Sequence, residues 1–574
     1  MSEDRFHSLS DSPRGMSDVS RRAFLHHSGL IAGGIAASSL LAACGSSSPA
    51  TAPASSGGAT AAVKPTTGGA TAAGGATVTG SATVAGSAAS GTPKLGGAVV
   101  WAQELDPVSL DPHKTSNFSA LQAFEHFYES LTMYDEKLTV IPGLAESWQN
   151  PDEKTYLFKL RPGVKFHDGS DFTADDVKYS LERLFDQATA APFKSWFDAI
   201  TSIETPDKQT VKMNLKAPFA PLVANFAAMR GSAIIPKDAA TKSNLQLQAI
   251  GTGPFVLKEY MPESHFTLSK NKNYWDKGLP YLDDVTFKVL VDEDARVAGL
   301  RSGQIQYAYV STEGAQRLTS EKSITVNQGK KAWLVAHFMN TFRKPFDDVR
   351  VRQAISLAVN RQEVIDKAVG GAGTLSGPMP TGHGDWFIPP EKLPYKQDLA
   401  KAKELLAQAG FPNGFKTTIT CSPQYPEFVS ASVVLQQQLK QVGIDAEVIQ
   451  MEWGNFSKDT SKAGGWKYDI KITAMTFYPD PDGYLYNSWH TDSNSNYTYS
   501  NRKFDDIVTQ ARSTLDSPKR HDLYNQAQQI LLDESPAIFW YVGNNIEALN
   551  NANKGYVQSY TGRRIFLKKT WLDK

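Results

Sequence analysis

The stretch YDIKITAMTFYPDPDGYLYNSW, Tyr468 to Trp489, decides how the rest of the chain is read. From Tyr468 to Ala474 apolar and polar residues alternate, with Ile470, Ile472 and Ala474 on one face, the period-2 pattern of a strand. Beyond it Met475, Phe477, Tyr478, Tyr484 and Trp489 crowd around Pro479, Asp480, Pro481 and Asp482. The two prolines remove backbone donors and stiffen the chain. A stiff aromatic loop leaving the end of a strand is expected. In open α/β sheets, ligands sit beyond the carboxyl ends of strands, between aromatic walls carrying a few fixed polar groups. Met475, Phe477, Tyr478, Asp480 and Trp489 are therefore candidate ligand-binding residues.

The flanking sequence alternates helix and strand. Leu399 to Ala409 has helical spacing and stops at Gly410, and Val429 to Val442 stops at Gly443, each glycine standing where a helix ends in a left-handed residue. Ile444 to Val448 alternates as a strand. Phe504 to Leu515 and Pro518 to Leu532 read as helices, the second with Ser517 as N-cap and Pro518 in its first turn. Pro536 to Val542, PAIFWYV, is a buried strand. Such repetition is the pattern of α/β packing.

Upstream, Gly97 to Trp101 is a short strand. Ser119 to Leu131 carries Leu121, Phe124, Phe127, Tyr128 and Leu131 at helical spacing. His126 and Glu129 stand one turn apart there; without a second pair nearby they read as an exposed ion pair rather than metal ligands, and no metal site or cofactor is expected. TYLFKLRPGVKFHDG, Thr155 to Gly169, reads as two strands joined by the Arg161-Pro162-Gly163 turn. His167-Asp168 sits between strand and turn, a structural place rather than a catalytic one. Thr173 and Asp176 have the spacing of a capping box.

A chain of 574 residues exceeds one ordinary domain of ~100–200 residues. Its 59 basic and 59 acidic residues cancel, so no global charge draws it to nucleic acid. Of the two cysteines, Cys421 reads as a small buried hydrophobe and Cys44 belongs to a processing signal. Arg14, Arg21 and Arg22 precede an uncharged run from Ser28 to Ala43 that is short for a membrane span. SRRAFL, Ser20 to Leu25, resembles a twin-arginine export motif, and Leu41-Ala42-Ala43-Cys44 resembles a lipobox. Residues 1–44 are thus expected as a lipoprotein signal peptide leaving a lipidated Cys44. Residues 45–93, almost wholly Ala, Gly, Ser, Thr and Pro, form a tether without enough apolar side chains to order it.

Several motifs in order carry a resemblance that covers the body from about Lys94. These are the Thr155 to Gly169 stretch, GTGPF at Gly251 to Phe255, Asn273-Tyr274-Trp275, and RKPFDDVRVRQAISLAVNR from Arg343 to Arg361. Together they resemble the signatures of the family 5 extracytoplasmic solute-binding proteins, receptors that deliver peptides, nickel complexes, oligosaccharides or opines to ATP-driven importers. The resemblance implies an α/β, two-lobe periplasmic-binding-protein-like fold of type II, the large three-domain variant, with a ligand cleft between the lobes. It implies a first lobe of residues 94–335 and 537–574 with a small extra subdomain, and a second of residues 336–536. The chain would cross near Trp333 to Asn340 and return near Ser535 to Tyr541. Expected partners are a small or peptide solute, an ABC permease with its ATPase, and the outer face of a bacterial cytoplasmic membrane through the lipid anchor; the chain is expected to be a monomer that binds no nucleic acid.

In peptide-binding members an aspartate for the ligand's α-amino group lies immediately before a Tyr-Pro-Asp-Pro-Asp-like run. Here that position is Phe477. A buried ammonium without its carboxylate loses a charge-assisted pair, on the order of several kcal/mol. The ligand is therefore expected to be less cationic there, such as an oligosaccharide, a modified peptide or a metal chelate, unless Asp480 or Asp482 takes the role. Trp386, Trp453 and Trp489 are candidate stacking faces for sugar, and Asn117 and Phe118 are first-lobe candidates by position.

The sequence has no G-x-S-x-G, H-E-x-x-H, C-x-x-C or phosphate-loop spacing, and the chain is read as a receptor rather than an enzyme. Hydrolysis by a carboxylate pair, which needs no motif, is the reading of another class.

Overall fold

Two long antiparallel strands, Ile324–Met339 and Ala537–Asn550, run through the middle of an eleven-stranded sheet in the computed structural model, which describes residues 91–573. Their pairing holds from Ile324↔Asn550 to Lys330↔Asn544 and resumes from Leu334↔Val542 to Phe338↔Ala537. Between these runs Lys331, Ala332 and Trp333 stand against the single residue Gly543. On one side of the break the second strand pairs with Tyr307–Tyr309, and the sheet continues through Ala98–Gln103, Asp284–Val289, His265–Lys270 and Phe255–Met261. On the other side the first strand pairs with Ile470–Thr476, followed by Lys416–Cys421 and Asp445–Gln450. Two lobes thus share one sheet. At the interruption the second strand pairs instead with the short strand Gly373–Leu375, through Gly373↔Gly543 to Leu375↔Tyr541, and a second register shift follows between Val335 and Ala336, so the two long strands change partners and direction where one lobe gives way to the other.

The second lobe buries both faces of its sheet. Val335 and Met339, with Ile419, Ile470 and Ile472, pack on one face against helices Val349–Ala358, Arg361–Val369, Leu399–Gln408 and Pro426–Lys440. Leu334, Ala336, Phe338 and Met475 pack on the other against Pro481–Trp489, Arg502–Ser513 and Ser517–Glu534. Cover on both sides explains the near-continuous apolar run of the central strands. In the first lobe, helix Phe118–Phe127 covers one face and helices Glu293–Ser302 and Thr312–Leu318 the other. A separate four-stranded sheet, Ala145–Asp152, Thr155–Leu160, Thr210–Leu215 and Ile200–Asp207, encloses its own core with helix Ala174–Phe185.

The local readings hold with instructive departures. Thr173 and Asp176 do form a capping box, the Asp176 carboxylate accepting from the Thr173 backbone N–H at 2.8 Å. The stretch after Arg161-Pro162-Gly163 is not a second strand but makes one isolated bridge, Lys165 to Asp171; the partners of Thr155–Leu160 come from elsewhere in the chain. Asp516, not Ser517, caps the helix Ser517–Glu534. The expected exposed ion pair of His126 and Glu129 is absent, because both side chains are buried. His126 stacks on Phe287 at 5.0 Å, while Glu129 accepts hydrogen bonds from Thr252, Tyr274 and Trp275. Most of the expected aromatic loop is helix, Pro481–Trp489: Asp480 accepts from the Asp482 N–H at 2.9 Å as N-cap, and Pro481 fills the first turn.

Candidate functional site

The segment between strand Ile470–Thr476 and helix Pro481–Trp489 is fastened from behind. The Asp480 carboxylate accepts two hydrogen bonds from Arg520, at 2.8 and 2.5 Å, with both side chains 7% exposed. Asp482 is held the same way by Arg512, at 2.8 and 2.7 Å. Paired bidentate contacts fix direction as well as distance. Phe477 to Pro479 is thereby presented to the first lobe.

There the Tyr134 hydroxyl donates to the Pro479 carbonyl at 2.7 Å, and the Phe477 ring meets the Tyr134 ring edge to face at 6.1 Å. Ala227, Ala228 and Ala332 complete this small apolar cluster, with Trp196 and Tyr560 at its margin. The Trp196 ring lies 6.3 Å from that of Tyr478. A further inter-lobe link runs from the Ala220 N–H to the Arg512 carbonyl at 3.0 Å. His383 stacks on Phe477 at 5.8 Å and donates from Nε2 to the Tyr478 carbonyl at 2.9 Å; burial holds its pKa below the usual histidine value.

Two arginines, Arg230 and Arg563, and one carboxyl, Glu125, stand together at this junction. The Arg230 guanidinium carbon lies 5.6 to 5.8 Å from the ring centres of Phe193, Trp196 and Phe477. Burial and the nearby Arg563 lower its pKa to about 10. Arg563, 1% exposed in its side chain, places Nη1 2.6 Å from Glu125 Oε1. Burial raises Glu125 to about 7 against the pull of both arginines. A cavity of about 460 Å3 opens beside this group, with Glu125, Tyr134, Ala227, Met229 and Arg563 among its walls. A wider cavity of about 800 Å3 lies around Asp111 and Arg183, and the walls of both cavities come from the first lobe alone.

Of the residues singled out in the sequence, Phe477 and Tyr478 reach the junction, with Asp480 directly behind. Asp480 and Asp482 are committed to Arg520 and Arg512, which removes them as partners for a ligand ammonium. Trp489 is fully buried among Phe338, Tyr497, Tyr499 and Phe539, and Met475 is 1% exposed in the same core, so neither offers a face to a solute. Trp386 packs on His521 and Tyr524. Trp453 stacks on Phe456 and lines a separate cavity of about 320 Å3 with Lys471. The three tryptophans are therefore not gathered into one sugar platform. Asn117 is exposed and caps its helix, accepting from the Ser119 N–H at 2.9 Å. Phe118 lies over Gly562, next in sequence to Arg563: a Cβ on that glycine would come within 3.2 Å of its ring. Cys44 lies outside the described residues. Among the described residues no cluster of three or more His, Cys, Asp or Glu could hold a metal.

Tyr134, Trp196, Arg230, His383, Tyr560 and Arg563 were not legible in advance. The available signal was a charge in apolar surroundings: Arg230 is the only ionisable residue in FAAMRGSAII, Phe226 to Ile235. The doublet in TGRRIFL, Thr561 to Leu567, is of the same kind.

The profile of the bacterial extracellular solute-binding proteins, family 5 Middle, matches residues 139–496. The glutathione-binding protein GsiB of Shigella dysenteriae is 32% identical over 448 residues, spanning 75% of this chain and 86% of its own. Among solved structures, HbpA2 from Haemophilus parasuis superposes with a TM-score of 0.76 at 26% identity, covering 83% of this chain and 100% of that one. DppA from Helicobacter pylori, in complex with the peptide STSA, gives 0.66 at 29% identity, covering 84% and 99%. The fold is the two-lobe, type II binding-protein fold. With its broken central ladder, its second-lobe segment seated on the first lobe and these matches, the chain belongs to the family 5 bacterial extracellular solute-binding proteins.

Proposed function

We propose that this protein is the solute receptor of an ABC importer, closing on a small peptide-like solute outside the membrane and handing it unaltered to a permease. The lobes in this reading are residues 94–335 with 537–574, and residues 336–536. The observation that carries it is the seating of Phe477 to Pro479 on Tyr134, Trp196 and Arg230 across an interrupted sheet. A ligand that touches both walls binds the closed arrangement better than the open one, and that differential affinity alone drives closure. Tyr134, Trp196, Arg230, His383, Phe477, Tyr478 and Arg563 are the proposed contacts, with Asn117 and Phe118 at the first-lobe rim. The relatives' names mention glutathione and short peptides, so these are the first solutes to test.

Lipidation of Cys44 and the tether of residues 45–93 would hold the receptor at the outer face of the cytoplasmic membrane. Replacing Cys44→Ala is expected to move the protein from the membrane fraction to the medium or periplasm; retention in the membrane would refute the anchor. Native mass spectrometry after mild purification, followed by incubation with glutathione and tripeptides, tests the receptor itself. A 1:1 complex releasing chemically unchanged solute is expected. Turnover of the solute would instead indicate a hydrolase.

A further inference from the structure

Arg230 differs from Arg352, Arg361, Arg564 and Arg520, which donate hydrogen bonds to the chain, and from Arg563, which is ion-paired with Glu125. Arg352 donates to the carbonyls of Glu534 and Phe346, Arg361 to that of Phe539, Arg564 to Gln103 and Ala102, and Arg520 to Asp480. Arg230 is 9% exposed, yet it makes no hydrogen bond or ion pair with another described residue, and its Nε is buried without a partner. A guanidinium with its Nε buried and its two Nη atoms left at the edge of solvent loses hydration that no group of the chain replaces. The local backbone does not relieve it either. Met229 and Gly231, on either side, have φ of 51° and 75°; for methionine this left-handed conformation is strained. Backbone strain at Met229 beside desolvation at Arg230 is the mark of a position held for something other than stability.

Its neighbours define what would relieve it. Arg563 adds a second guanidinium, Glu125 supplies one carboxyl, and the remaining walls are the rings of Phe193, Trp196 and Phe477. The group carries one positive charge more than it can neutralise while Glu125 is ionised, and a further one when Glu125 is protonated. Resting on the receptor reading, we infer that Arg230, with Arg563 beside it, anchors a carboxylate of the solute, so that the protein selects acids over their neutral counterparts. A guanidinium fork matches a carboxylate in two parallel hydrogen bonds. Phe477 then has a positive reason: a carboxylate at that position would fold back onto Arg230 and occupy the anchor.

The test uses the whole folded protein with glutathione and trialanine as probes, each as the free acid and as the carboxamide. Wild type should bind at least one acid, with the matching amide weaker by roughly 100-fold, the loss of two charge-assisted hydrogen bonds. Arg230→Gln should bind acid and amide alike, both weakly. Arg230→Met supplies a readout that a merely structural arginine would not give: its ligand-free melting temperature should rise, because an apolar side chain suits the ring-lined site. Equal binding of acid and amide by wild type would overturn the carboxylate anchor and leave the receptor intact. So would a fall in the melting temperature of Arg230→Met with acid selectivity retained. If no probe binds and native mass spectrometry finds a neutral co-purified solute, the anchor is again overturned; if no solute is found at all, the receptor reading falls with it.

Discussion

Replacing Asp480→Ala should destabilise the second lobe by about 4–6 kcal/mol, a large share of the ~5–15 kcal/mol that holds a typical domain folded. Both oxygens of Asp480 are engaged by Arg520, and both side chains are 7% exposed. Removing one partner of such a pair strands the other charge, at about 3–5 kcal/mol. The N-cap to Asp482 is lost as well, at about 1 kcal/mol. Arg520 keeps its hydrogen bonds to the Ala511 carbonyl and the Tyr524 hydroxyl, which places the loss nearer the lower figure. Urea unfolding followed by tryptophan fluorescence measures it, with Asp480→Asn, which retains a capping oxygen, losing less. The double variant Asp480→Ala with Arg520→Met should recover most of the stability, since the buried charge goes too. A loss under about 1 kcal/mol would refute the assignment. So would intact stability with abolished solute binding, which would return Asp480 to a ligand ammonium.

Tyr134→Phe deletes the inter-lobe hydrogen bond to Pro479 while keeping the ring against Phe477, so closure should weaken by about 1 kcal/mol and solute affinity fall roughly fivefold. Unchanged affinity in calorimetry would show that this contact does not report closure. Phe477→Asp should place a carboxylate against Arg230, raising the ligand-free melting temperature and lowering affinity for acidic solutes more than Phe477→Ala does; tighter binding of an acid would contradict this. His337 accepts from Trp540 at Nδ1 and donates from Nε2 to Ser432, and burial lowers its pKa to about 3. The unfolded chain therefore takes up this proton first: the contribution to stability is complete above pH ~6.5 and falls by about 1.4 kcal/mol per unit as pH drops toward ~3. Glu125, raised to about 7, acts in the opposite sense between pH ~4.5 and ~7, so the ring itself is best followed by NMR. A titration midpoint near the ordinary histidine value would disprove the burial argument.

The local elements and the kinship are written in the order of the residues. Alternation marked Ile470, Ile472 and Ala474 as a strand face, Gly410 and Gly443 stopped their helices, and Thr173 with Asp176 closed a capping box, because each depends on residues within a turn or two of one another. Asp480-Pro481 carries the same kind of local signal, an N-cap followed by a first-turn proline, within a run whose aromatic residues read as a loop. That Asp480 and Asp482 face inward to Arg520 and Arg512, that Trp489 is core, and that Phe477 meets Tyr134 and Arg230 follows from long-range packing. Those partners lie 30 to more than 340 residues apart in the chain. Whether a charge is satisfied or stranded is a property of everything packed around it, and no periodicity along the chain encodes that.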